Sequence, residues 1–153
     1  MLLVEKKDFI AFLTINYPEK RNALTPELLT DIHKNLEAFS KNDDVRCVVL
    51  KGQGSKVFSS GYDISAIPVA PLSGARQKTP DTLLQALDTI KNFPYPTIAM
   101  LNGHAFGAGF NLCACCDIRI AADQLLQKCF QSDDLKEGQA AFLEKRVPGF
   151  TGK

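Results

Sequence analysis

Strand and helix signals alternate along this chain, which predicts an α/β fold. Three observations carry the prediction. A run rich in β-branched and aromatic residues at 9–15 and short apolar runs at 45–50 and 97–101 read as strands. Apolar residues at helical spacing lie between them, and proline or glycine punctuates the junctions.

Residues 9–15 read as a strand that ends at the turn signal Asn16-Tyr17-Pro18. Thr25 and Pro26 then look like an N-cap followed by proline at the first helical position. Behind them Leu28, Leu29, Ile32, Leu36 and Phe39 fall on one packed face of a helix. Residues 45–50 suit a buried strand, and 51–56 a loop. The stretch 68–80, with its prolines, glycine and serine, is expected to be a flexible surface loop. Helical spacing returns at Leu83, Leu84, Leu87 and Ile90, and Pro94 and Pro96 end that helix. Residues 97–101 and 117–121 are two further strand candidates. Beyond Gln124, Ser132 is expected to cap a last helix, with Asp133 and Asp134 in its first turn, running towards Arg146 and stopping before Pro148.

A chain of 153 residues fits one domain, and a domain of that size can bury roughly 70% of its unfolded surface. Apolar residues make up 45% and charged residues 23%, an ordinary globular balance. The net charge is +1 and the basic residues are scattered, which argues against nucleic acid as the main partner. No apolar run approaches the ~20 residues that span a bilayer. The N-terminus MLLVEKKDF lacks a signal-peptide layout, so no membrane partner and a cytoplasmic location are expected. Five cysteines, an odd number, read as reduced thiols.

The stretch NGHAFGAGFNLCACCD, 102–117, carries the densest chemistry. A dinucleotide loop fails, because Leu112 stands at the third glycine of G-x-G-x-x-G and no acidic residue follows at the expected distance. A Walker-type phosphate loop fails for want of a following Gly-Lys-Ser/Thr. Cys113, Cys115 and Cys116 lack C-x-x-C spacing, and Cys47 and Cys129 are isolated, so no metal site is expected and the thiols read as small buried apolar groups. A third option uses the backbone. A strand enters a glycine-bearing turn, a helix starts near Ala108, and the small residues Gly107, Ala108 and Gly109 let a ligand approach its free N–H groups. A second turn of this kind lies at Ser59-Ser60-Gly61-Tyr62-Asp63. Two converging turns would offer two donors to one developing oxyanion. Two ordinary strand-to-helix turns would look the same in these features alone.

The segments PEKRNAL (18–24), VFSSGYD (57–63), PTIAMLNG (96–103), GAGFNL (107–112) and CDIR (116–119) resemble, in order, the enoyl-CoA hydratase/isomerase (crotonase) family. The resemblance implies a spiral of ββα units, incomplete here, with a C-terminal helix. It implies acyl-CoA thioesters as ligands, with coenzyme A as part of the substrate and no separate cofactor, and assembly as trimers or dimers of trimers. Carried over, the oxyanion donors are the backbone N–H groups of Tyr62 and Ala108, flanked by Gly61 and Gly107. Asp63, Ile64 and Ser65 would line the CoA site, and Arg21, Ala23 and Leu24 would lie near its pantetheine or phosphate region. Phe150 and Lys153 match a tail that reaches a CoA site, where Lys153 would meet a phosphate. His104 has no role in the pattern and is expected in a loop.

The chain also departs from that pattern. Family hydratases carry a glutamate where this chain has Asn111, and an amide cannot serve as a general base. The second family glutamate sits in a segment that is not seen here, and a middle block is expected to be missing between Asp123 and Gln124. The expected organisation is therefore 1–123 as the N-terminal part of the core and 124–153 as a helical tail. Glu137 and Glu144 are the candidate replacement bases. The rival expectation is a catalytically inactive acyl-CoA-binding or oligomer-assembly fragment.

Overall fold

A computed structural model describes residues 1–41, 43–66 and 81–121, together with 133, 137, 140, 141, 144–147, 149 and 151. In chain order the elements are β1 (Leu2–Lys7), β2 (Ile10–Ile15), a 3-10 turn (Pro18–Lys20), α1 (Pro26–Ser40), β3 (Cys47–Gly52), β4 (Val57–Ser59), a second 3-10 turn (Ile64–Ala66), α2 (Asp81–Lys91), β5 (Thr97–Leu101), β6 (His104–Ala105), α3 (Ala108–Cys115) and β7 (Ile118–Ala121). The chain divides into two units, Met1–Ile120 and Ala121–Lys153.

In the first unit, strands run in the order β1-β2-β3-β5-β7 in one sheet, and β4 pairs with β6 in a small second sheet. β1 and β2 form an antiparallel hairpin, whereas β2–β3 and β3–β5 are parallel. Alternation decides the faces. Leu13, Leu50 and Ala99 stand side by side across three strands, and all are fully buried. They meet the apolar stripe of α1 (Leu28, Leu29, Ile32, Leu36, Phe39) and that of α2 (Leu83, Ala86, Ile90) in one core. Burying a side chain of this size stabilises the fold by about 2 kcal/mol. α1 starts where expected. The Thr25 hydroxyl accepts the Leu28 N–H at 3.3 Å, and Pro26 occupies the first helical position, where no N–H is needed.

Two asparagines and one aspartate fix the connections. Asn22 is buried with φ 57°, in the left-handed region that asparagine tolerates. Its amide donates to the Gln53 and Val57 carbonyls at 2.9 and 2.8 Å, and its oxygen accepts the Tyr17 N–H at 3.1 Å. Asn102 holds the same 52–57 loop from the other side by accepting the Gly52 N–H at 3.0 Å and donating to the Gly54 carbonyl. Asp117 ties the end of α3 to the start of β5, accepting the Thr97 N–H at 2.8 Å and the Thr97 hydroxyl at 2.7 Å. Arg119 donates to the Cys116 carbonyl at 2.7 Å and to the Cys113 carbonyl at 3.3 Å, closing the helix C-terminus. The CDIR segment is thus architecture rather than chemistry.

Several expectations shift. Phe9 precedes β2 and lies under the Arg46 guanidinium, 4.7 Å from ring centroid to charge. β3 begins at Cys47 and runs on to Gly52. His104, expected in a loop, is exposed but opens β6 opposite Val57. The 68–80 loop, Ser132, Asp134 and Pro148 lie outside the described residues. In the second unit, Asp133, Glu137, Ala140, Ala141 and Glu144 are helical. The helical state does not reach Arg146, because Lys145 takes a left-handed φ of 55° and the Arg146 N–H returns to the Ala141 carbonyl at 3.0 Å.

Replacing Asn22 with alanine removes three hydrogen bonds and leaves a residue poorly suited to positive φ. Urea unfolding of Asn22→Ala is expected to show a loss of about 2–4 kcal/mol, and a loss under about 0.5 kcal/mol would mean that the amide does not hold the loop. Hydrogen bonds from the Thr97 hydroxyl, and then its N–H, hold the Asp117 carboxyl below its ordinary 3.8. A depressed folded value contributes stability that is present above pH 3.8 and lost as the pH falls through the folded value. Asp117→Asn is therefore expected to be less stable at pH 7, with the deficit shrinking below pH 3.8. Urea midpoints measured across that range check it, and a deficit independent of pH contradicts it.

Candidate functional site

Leu24 forms an isolated parallel bridge with Tyr62. Its N–H donates to the Gly61 carbonyl at 2.8 Å, and its carbonyl accepts the Asp63 N–H at 2.9 Å. Gly61 C=O and Tyr62 N–H belong to one planar trans peptide, so they point in opposite directions. The bond to Leu24 therefore turns the Tyr62 N–H away from Leu24. The same reasoning applies at α3. The Asn111 N–H donates to the Gly107 carbonyl at 3.1 Å, which draws that carbonyl into the helix and sends the Ala108 N–H out of its N-terminal end.

The two turns are neighbours in space. A Cβ added to Gly61 would stand 2.9 Å from the Phe106 carbonyl oxygen and 3.5 Å from the Ala108 nitrogen. Gly61 also has φ 99°, so both the approach and the backbone demand glycine. Gly107, with φ 49°, needs glycine for its backbone alone. Ser59 holds the junction, because its carbonyl accepts the Phe106 N–H at 2.9 Å and its hydroxyl accepts the Gly61 N–H at 3.2 Å. Exposed apolar side chains flank the turns in sequence: Ile64, Phe106 and Phe110.

The expected site residues divide by surroundings. Tyr62, Ala108, Gly61 and Gly107 come together as described. Ala23 and Leu24 are buried, and both backbone groups of Leu24 are engaged in the Tyr62 bridge. Arg21 is exposed, with φ 53°, and lines an open cleft of about 390 Å³ with Pro18, Asn22, Lys56 and the 53–55 loop. Ile64 and Ser65 lie in the 3-10 turn after Tyr62. Phe150 and Lys153 lie outside the described residues, as do Asp123 and Gln124.

Asp63 is buried, and its carboxylate faces inward to its own loop. It accepts the Ser65 hydroxyl at 2.6 Å, the Ser65 N–H at 3.0 Å and the Lys20 ammonium at 3.0 Å. The Ser65 hydroxyl, then Lys20, pull its pKa down to about 2. It stays ionised at neutral pH and is too weak a base for proton abstraction. Sequence reading missed Lys20, whose partner lies far along the chain and leaves no local signal.

Asn111 is exposed and stands three residues after Ala108, on the same side of α3. Burial pushes the Cys113 thiol up to about 11 and the Cys116 thiol up to about 12, so neither is a nucleophile at neutral pH. Among the described residues, no three His, Cys, Asp or Glu are grouped to hold a metal ion. Glu137 and Glu144 are engaged with Arg146. Its guanidinium grips Glu137 at 2.5 and 2.9 Å and Glu144 at 2.6 Å, and the Gly149 N–H adds a bond to Glu137 at 2.8 Å. Arg146, then Gly149, draw the Glu137 pKa to about 2. That value removes Glu137 as a replacement base.

Comparison with known proteins gives the family and the fold. The sequence profile of enoyl-CoA hydratase/isomerase matches residues 5–124. Crotonyl-CoA hydratase from Syntrophomonas wolfei is 34% identical over 157 aligned residues, covering 99% of this chain and 54% of that protein. Human enoyl-CoA hydratase domain-containing protein 3 is 32% identical over 117 residues, covering 76% of this chain and 38% of that one. Among solved structures, Pseudomonas aeruginosa DspI superposes with a TM-score of 0.71 at 33% identity, over 78% of this chain and 48% of that chain. Enoyl-CoA hydratase from Bacillus anthracis gives 0.68 at 26% identity, over 78% and 46%. The chain spans about half the length of the curated relatives it matches. With the profile covering most of its length and the fold shared, the chain belongs to the enoyl-CoA hydratase/isomerase (crotonase) family.

Proposed function

We propose that this chain binds an acyl-CoA thioester and polarises its carbonyl between the Tyr62 and Ala108 N–H groups, the step that opens enolate chemistry. The observation that carries the reading is the pair of hydrogen bonds, Leu24 to Gly61 and Asn111 to Gly107, that turn both N–H groups outward from adjacent turns. Donors fixed in advance are aimed where negative charge develops and need no reorganisation, and each is typically worth about 3 kcal/mol in the transition state. The cleft beside Arg21 and Lys56 offers positive charge to the phosphates of coenzyme A. In the same reading subunits assemble as trimers or dimers of trimers. Hydration or isomerisation also needs a proton to move, and Asn111 cannot accept one.

That last observation favours a second reading, in which the chain binds and polarises an acyl-CoA without turning it over. Incubating the full chain with crotonyl-CoA and with a 3-enoyl-CoA separates the two. Stereospecific hydration or double-bond migration establishes an enzyme, and tight binding with neither product establishes a binding protein.

Ala108→Pro tests the donor itself. Ala108 occupies the first helical position, where proline is tolerated, so the helix should survive the loss of the N–H. A bound para-dimethylaminocinnamoyl-CoA is expected to absorb further to the red on the unaltered protein and to lose that shift on the variant. Any turnover should fall by about 10²-fold. A full shift on a folded variant would remove Ala108 from the proposal.

A further inference from the structure

Resting on the polarising role proposed for Tyr62, we infer that Asp63, clamped by Lys20 and Ser65, is a positioning residue that fixes the direction of the Tyr62 N–H and does not contact the ligand. Tyr62 sits between a glycine and this aspartate. Gly61 has no side chain to restrain rotation of the peptide that carries the Tyr62 N–H, so the restraint must come from bonds around it. On the upstream side it has the Leu24 bond to Gly61. On the downstream side Asp63 is held at both ends. Its N–H is bonded to the Leu24 carbonyl at 2.9 Å, and its carboxylate to the Ser65 N–H, the Ser65 hydroxyl and Lys20.

Lys20 is the reach of that clamp across the loop. Its ammonium joins Asp63 at 3.0 Å and Ser65 at 3.3 Å and lies 5.7 Å from the Tyr17 ring centroid. Its own carbonyl accepts the Ser60 hydroxyl at 3.1 Å, and the neighbouring Arg21 carbonyl accepts the Ser60 N–H at 3.0 Å. The segment before α1 therefore grips the turn on both sides of Tyr62. The Asp63 carboxylate has its oxygens committed inside the loop and the residue is 7% exposed, which leaves it little surface for a ligand.

The test compares Asp63→Asn, Lys20→Met and Lys20→Arg in the full chain, with para-dimethylaminocinnamoyl-CoA as probe. Asp63→Asn and Lys20→Met are expected to reduce its red shift, and to lower kcat about tenfold if the chain turns over, with the probe's dissociation constant almost unchanged. Lys20→Arg should restore the shift. Lys20 is half exposed, so Lys20→Met carries the test if Asp63→Asn does not fold. A full red shift in both variants overturns the positioning role. Weakened binding with a full shift overturns it too, by making Asp63 a ligand contact. No shift on the unaltered protein would instead defeat the polarising role on which the inference stands.

Discussion

The hydrogen bond from the Leu24 N–H to the Gly61 carbonyl joins the core, the loop and the site of this protein. Leu24 is fully buried, so the bond starts from a point that cannot move without disturbing the packing of α1 on the sheet. It ends on a glycine that no side chain steadies. Between them it sets the plane of one peptide and hence the direction of one N–H. The surrounding contacts serve the same constraint. Asn22 holds the chain just before Leu24, Ser59 holds the chain just before Gly61, and Asp63 closes the bridge on the far side.

The electrostatics of the two turns follow from that arrangement. The field at the proposed ligand carbonyl comes from backbone dipoles and a helix N-terminus rather than from ionised side chains. Asp63, the nearby negative charge, is matched by Lys20 and remains paired over the neutral range. Polarisation by amides does not itself titrate. Asn111, on the same side of α3 as Ala108, contributes a dipole and no charge.

Much of this was legible in the sequence where the cause is local. Thr25 and Pro26 mark the start of α1, Pro94 and Pro96 the end of α2, and glycines the two turns, because capping and backbone sterics act within a few residues. β1 escaped notice because five of its six residues are exposed, so LLVEKK shows no alternation of apolar and polar positions. β4 and β6 were equally silent, being too short for any periodicity. In the sequence Asp63, Glu137 and Glu144 look like free carboxylates. The Lys20 partner of Asp63 lies 43 residues back along the chain, whereas Arg146 is two residues from Glu144 and nine from Glu137, so only the first pair needs a long-range turn of the chain.

Tyr62 and Ala108 lie far apart along the chain, and the pairing of β4 with β6 brings their turns together. Such a contact closes a long loop and has to repay its entropy before it adds stability. The β1–β2 hairpin rests on more local contacts and can consolidate first. A partly folded chain can therefore have its first hairpin while the two donors still face different ways. Capture of a thioester by the pair would report that this long-range closure has taken place, and a ligand that binds only the closed state would stabilise it.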